Sequence, residues 1–134
     1  MVTAPPSPKA PKFLVGKKLC APACPSAPVR LPRVPQWAEP VWHLYVVRIL
    51  DGEGRRAELM TALDKAGIGS LIHYPIPPHL QQAYADLGLG KGSFPLAEEL
   101  AGTVLSLPMG AHMPESAVDE VAAVIRTTLS PRAE

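Results

Sequence analysis

The side chains best suited to chemistry sit in Leu71-Ile72-His73-Tyr74-Pro75-Ile76-Pro77-Pro78-His79. An imidazole can hydrogen-bond a phosphate or sugar oxygen, and a phenol adds a hydroxyl and a flat face that packs on a sugar ring. His73 and Tyr74 leave a short apolar stretch and meet Pro75, which holds the preceding residue in extended conformations. This arrangement presents both side chains at the exit of a strand, at the rim of a cleft. His and Tyr are also common half-buried packing residues, so local chemistry alone leaves open a strand-capping role for His73 and a packing role for Tyr74. His79 falls near the start of a proline-led helical turn. It either meets an anion there or serves as a structural cap.

Other reactive residue types point to structure. Cys20 and Cys24 are the only cysteines, spaced Cys-x3-Cys in a Pro/Ala-rich stretch. No compact pair of histidines accompanies them, so the tetrahedral ligand set of zinc is not formed and no metal is expected. Two incidental free thiols in a reducing compartment is the reading they support. His112 follows Gly110 in a sharp loop and reads as a surface or packing residue. Arg48 reads as an ion-pair partner, His43 as a core-edge residue, and Arg55 and Arg56 as the solvated first turn of a helix.

The elements that must position these groups follow from periodicity. Residues 42–50, Trp-His-Leu-Tyr-Val-Val-Arg-Ile-Leu, are rich in β-branched and aromatic types and predict a strand. A helix is expected over 55–66, with Leu59, Leu63 and Ala66 on one face and Gly67 as its left-handed terminator. A second strand is expected over 68–73, a short helix over 78–87, and a flexible loop over 88–93. Pro95 suits the first position of another helix running to about Val104. Val104–Leu107 reads as a short strand. The last helix starts near Pro114, with the stripe Val118, Val121, Ala122, Ile125 and Leu129 facing the core. The expected class is α+β, a small, mainly antiparallel sheet with packed helices.

Composition bounds the rest. The chain has 134 residues, 47% of them hydrophobic and only 5% aromatic, enough for one aliphatic core. Ten of the 17 prolines fall in residues 1–40, so residues 1–29 are expected to be a disordered Pro-rich tail and 30–134 the folded domain. Residues 1–40 carry six basic residues and one acid, and residues 41–134 carry seven basic and eleven acidic. The basic arm lacks a repeated stripe and interleaved aromatics, so no nucleic-acid contact is expected. No apolar run is long enough for a membrane span or a signal peptide, and a cytoplasmic protein is expected.

The segment Ile68 to Tyr84, with Phe94-Pro95-Leu96-Ala97-Glu98 and Leu105-Ser106-Leu107-Pro108-Met109-Gly110 downstream, resembles the DegT/DnrJ/EryC1/StrS family of sugar aminotransferases. The likeness covers residues 30–134 and is to the C-terminal small domain of that family, part of a fold-type-I aminotransferase. Ala111 departs from the proline family members commonly carry there. The resemblance implies pyridoxal 5'-phosphate as cofactor of the full-length enzyme and a nucleotide-linked keto-sugar as substrate, with glutamate the usual amino donor. It implies that His73 and Tyr74 line the substrate cleft, with His79 nearby. It also implies a homodimer, or association of this domain with a large domain. The family's Schiff-base lysine precedes a Gly-acid-Gly stretch, and no lysine here stands in that context. No catalytic residue is therefore assigned, and cofactor binding and transaminase activity by this chain alone are not expected. The rival expectation is a non-catalytic domain that binds a partner chain or a nucleotide-sugar.

Overall fold

In the computed structural model the described residues are 28–110 and 112–130. The Pro-rich segment up to residue 27, with Cys20 and Cys24, lies outside them, so the tail expected over 1–29 is described only at its last two residues.

The central strand β2, Tyr45–Ile49, alternates buried and half-buried residues, as a strand with one face on a core must. It is shorter than the 42–50 expected, because Trp42 leaves the ladder to pack its ring on Tyr45 at 5.7 Å between centroids. On one side β2 pairs antiparallel with β1, Val29–Arg30, a strand that proline density had hidden. The amide of Leu50 donates to Pro28 O at 2.7 Å, continuing that pairing by one bond. On the other side β2 pairs antiparallel with β3, Val104–Leu107, the strand expected there. The result is a three-stranded antiparallel sheet in the order β1-β2-β3, within the α+β class expected.

Two helices cover one face of the sheet. Helix α1, Gly52–Lys65, brings Leu59 and Leu63 to it. Helix α3, Glu115–Thr128, brings Val118, Val121, Ala122 and Ile125, with Leu129 just beyond its end. These meet Tyr45, Val47, Ile49, Leu105 and Leu107 in one dry aliphatic core. Each fully buried Leu or Ile contributes roughly 1.5–3 kcal/mol of apolar transfer, which makes this face the main source of fold stability. Ala66 is exposed, because α1 has already closed there. Gly67 N–H bonds Asp64 O and Ile68 N–H bonds Leu63 O, both at 2.9 Å, a Schellman closure. Gly67 has φ +71, the left-handed conformation the sequence called for. Helix α2, Pro95–Thr103, begins with proline as expected and leans on α1 and β2.

Two expected elements change form. The strand over 68–73 is a single bridge, Leu71 to Ser106. Gly67, Gly69 and Pro75 crowd its ends, and only Leu71 keeps both ladder bonds. The helix over 78–87 is two 3-10 segments, Pro78–Leu80 and Gln82–Leu87, broken by extended Gln81. The Gln81 side chain donates back to Ile76 O at 3.1 Å, a local bond that competes with a continuous helix.

Candidate functional site

Strand alternation sorts the sheet's second face. With Tyr45 opposite Leu107 and Val47 opposite Leu105 on the core side, Val46, Arg48, Val104 and Ser106 lie on the other. The chain leaving α1 returns along the free edge of β3. Ile68 and Ile72 turn into the core and anchor it, while Leu71 exchanges backbone bonds with Ser106 at 2.8 and 3.2 Å. Two residues on, the His73 ring reaches the same serine, Nδ1 lying 2.9 Å from Ser106 Oγ.

His73 and Tyr74 are therefore brought together at the end of an anchored segment, as the sequence predicts. Their rings meet edge to face at 5.6 Å and the peptide bond between them is cis. His73 is half-buried, and Tyr74 is 69% exposed. A cavity of about 260 Å³ opens beside them, floored by Ile76, Ala97, Leu100 and Val104. A second, of about 380 Å³, is also lined by His73, with Leu44, Gly69, Leu71, Ser106 and Pro108. His73 is the one residue common to the linings of these two mostly apolar hollows. Apolar walls with one imidazole and one phenol are the usual makeup of a small-molecule site.

His79 is placed differently. Its side chain is buried and Nε2 donates to Glu98 Oε1 at 3.0 Å, while Phe94 packs edge-on at 4.9 Å. Glu98 also accepts the Gly92 amide at 2.8 and 3.0 Å and the Phe94 amide at 3.4 Å. The hydrogen bond from His79 holds the Glu98 carboxyl below its ordinary value, the two amides adding to this against a partial loss of solvent. The ring is thus turned toward the 92–94 turn, and it does not line the cavity beside His73.

The flanking charges are structural. Arg48 pairs with Glu99 of α2, as expected. Arg56 is buried, in contrast to the solvated turn expected. Its guanidinium donates to Ala101 O at 2.6 Å and to Val104 O at 3.4 Å, serving carbonyls at the end of α2 that have no helical partner. His43 is exposed and not at the core edge, and His112 is exposed, as a surface residue. Among the described residues no group of three His, Cys, Asp or Glu could hold a metal ion, and no helix is long and apolar enough to cross a membrane. Ser106 is the site residue that sequence reasoning passed over. A lone hydroxyl in the otherwise apolar Val-Leu-Ser-Leu run was the available signal, since buried polar groups need partners.

A small antiparallel sheet packed by helices on one face is shared with solved aminotransferases, over about 30% of their length. The solved structure of DesV from S. venezuelae superposes with a TM-score of 0.76 at 39% identity, over 90% of this chain and 31% of that one. The DegT/DnrJ/EryC1/StrS aminotransferase family profile matches residues 25–126, and the chain belongs to that family. The erythromycin biosynthesis sensory transduction protein EryC1 of Saccharopolyspora erythraea is 50% identical over 98 residues, 73% of this chain and 26% of its own length. The dTDP-3-amino-3,4,6-trideoxy-alpha-D-glucose transaminase of Streptomyces venezuelae is 47% identical over 85 residues, 63% of this chain and 21% of its length. The chain thus spans about a quarter of the length of the curated relatives it matches.

A pyridoxal group needs a lysine amine for its aldehyde and donors for its phosphate. The described lysines, Lys65 and Lys91, are both exposed, and neither lines a cavity beside His73. The described residues therefore do not by themselves fit that cofactor.

Proposed function

We propose that this chain forms the small-domain wall of the substrate site in a pyridoxal-phosphate-dependent sugar aminotransferase. The substrate is a nucleotide-linked keto-sugar and the amino donor glutamate. The observation that carries this reading is the His73–Tyr74 pair, one polar ring and one exposed flat ring over an apolar hollow. The family membership and the transaminase activities in relatives' names support it. His73 hydrogen-bonds a phosphate or sugar oxygen, Tyr74 packs on the ring, and His79 orders the neighbouring turn through Glu98. Cofactor and lysine come from a large domain. Exposed Leu71, Tyr74, Ile76 and Leu96 support a face that such a domain or a second subunit covers. The reading places the enzyme in the cytoplasm, supplying amino sugars for polysaccharide or antibiotic assembly.

The test is a chimera in which residues 28–134 replace the matching part of the Streptomyces venezuelae transaminase. His73→Ala is expected to raise the KM for the dTDP-keto-sugar by roughly ten- to hundredfold, the equivalent of about 1.5–3 kcal/mol for one hydrogen bond to a charged group. Cofactor absorbance stays unchanged. An active chimera whose KM is the same with His73→Ala and with Tyr74→Phe would show the pair to be structural.

A further inference from the structure

His73 can meet a ligand as a donor or as an acceptor, depending on which ring nitrogen carries the proton, and the buried hydroxyl beside it decides. Ser106 is 5% exposed and its backbone groups are both spent on Leu71. Among the described residues its hydroxyl has one partner, His73 Nδ1 at 2.9 Å. If Nδ1 carried the proton and donated to Oγ, the serine O–H would be left without a partner among the described residues, at a nearly buried position. Either arrangement leaves one proton without a partner among these residues, and that proton costs less on the half-buried ring than on a hydroxyl whose residue is 5% exposed. The opposite arrangement puts that unpartnered proton on the more exposed residue. Ser106 O–H donates to Nδ1, and the imidazole proton sits on Nε2, which has no partner among the described residues.

The geometry points to Ser106 as a positioning residue that locks His73 in the Nε2–H form, so that the site presents a fixed hydrogen-bond donor to its ligand. This rests on the proposed function for the identity of the ligand and narrows its chemistry. The group that meets His73 is an acceptor, a phosphate, carbonyl or sugar oxygen, and His73 does not serve as a base at that nitrogen. The three bonds from Ser106 to Leu71 and His73 also fix where the donor stands, since the rest of the segment has no ladder partner.

The test is a long-range proton–nitrogen correlation on the ¹⁵N-labelled 134-residue chain, with its four histidines assigned by single replacement. His73 is expected to show one tautomer, Nε2 protonated and Nδ1 unprotonated but hydrogen-bonded. Ser106→Ala is expected to collapse the two nitrogen shifts toward a common average, with the backbone spectrum otherwise native. Ser106→Thr, which keeps the hydroxyl, is expected to restore the pattern. A parent spectrum that shows the Nδ1–H form or an averaging ring overturns the inference without any variant. So does a Ser106→Ala spectrum identical to the parent. If Ser106→Ala does not fold, the parent and threonine spectra decide. None of these readings uses substrate, so they stand or fall separately from the chimera's KM.

Discussion

The two faces of the sheet are built on opposite terms. On the helical face Leu59, Leu63, Ile125 and Leu129 have no exposure at all, and they pack between two long helices and a regular ladder. On the other side the chain from Gly69 to Ser93 has turns, two 3-10 segments and one bridge, and leaves Leu71, Tyr74 and Ile76 each more than half exposed. The first face holds the fold together. The second holds side chains in place by a few individual hydrogen bonds, Ser106 to His73 and Glu98 to Gly92 among them. A site needs open surface and unspent donors, which a close-packed core cannot supply.

The largest way to test that contrast is to remove volume from each side. Leu63→Ala empties a fully buried position between α1 and the sheet and is expected to cost about 2–5 kcal/mol. That is a large share of the roughly 5–15 kcal/mol a domain has in total, and urea unfolding would read it directly. Tyr74→Ala on the open side is expected to stay within about 0.5 kcal/mol, as surface changes do. Comparable losses at both positions would show that the open side also carries the fold.

A smaller effect is expected where the two sides join. Gly67 closes α1 and sends the chain toward Leu71 in a conformation that costs an L-residue about 1–2 kcal/mol. No neighbouring atom would meet an added methyl there, so Gly67→Ala isolates the backbone cost. The expected result is a lowered unfolding midpoint with an unchanged denaturant slope. A neutral substitution would mean that the closure is not set by this glycine.

The helical side was legible in the sequence because its residues repeat. The stripe Val118 to Leu129, the proline opening α2 and the glycine ending α1 each have a periodic or local signature. The open side was legible only as residue types. His73 and Tyr74 could be named from their exit position and the family resemblance, but Ser106 lies 33 positions from His73, and no local pattern joins them. For the same reason Arg56 reads as a solvated charge until α2 is seen to bring Ala101 O to it. Pairings across the fold are set by which backbone ends come close, and that information is not periodic. The helix expected over 78–87 failed through a competing local bond, Gln81 to Ile76.

The smallest expected effect sharpens the contrast within the open side, where single bonds replace packing. Glu98 gathers His79, Gly92 and Phe94 around one carboxylate, whose pKa is lowered from 4.5 with the His79 hydrogen bond as the main cause. The unfolded chain takes up this proton at higher pH than the native one. The carboxylate's contribution is therefore fully present above about pH 4.5 and is lost as pH falls through the lower native value. Because the pairing is local and the turn is open to water, the core is expected to survive that loss. In a pH titration followed by backbone amide shifts, Gly92 and Phe94 are expected to move together with a midpoint below 4.5, while the amides of α3 stay put. Glu98→Gln keeps an acceptor but cannot ionise, so the shared transition is expected to vanish. A midpoint at or above the ordinary value would mean that His79 does not hold this carboxylate in solution. A transition shared with α3 would mean that the two faces of the sheet are not energetically separate after all.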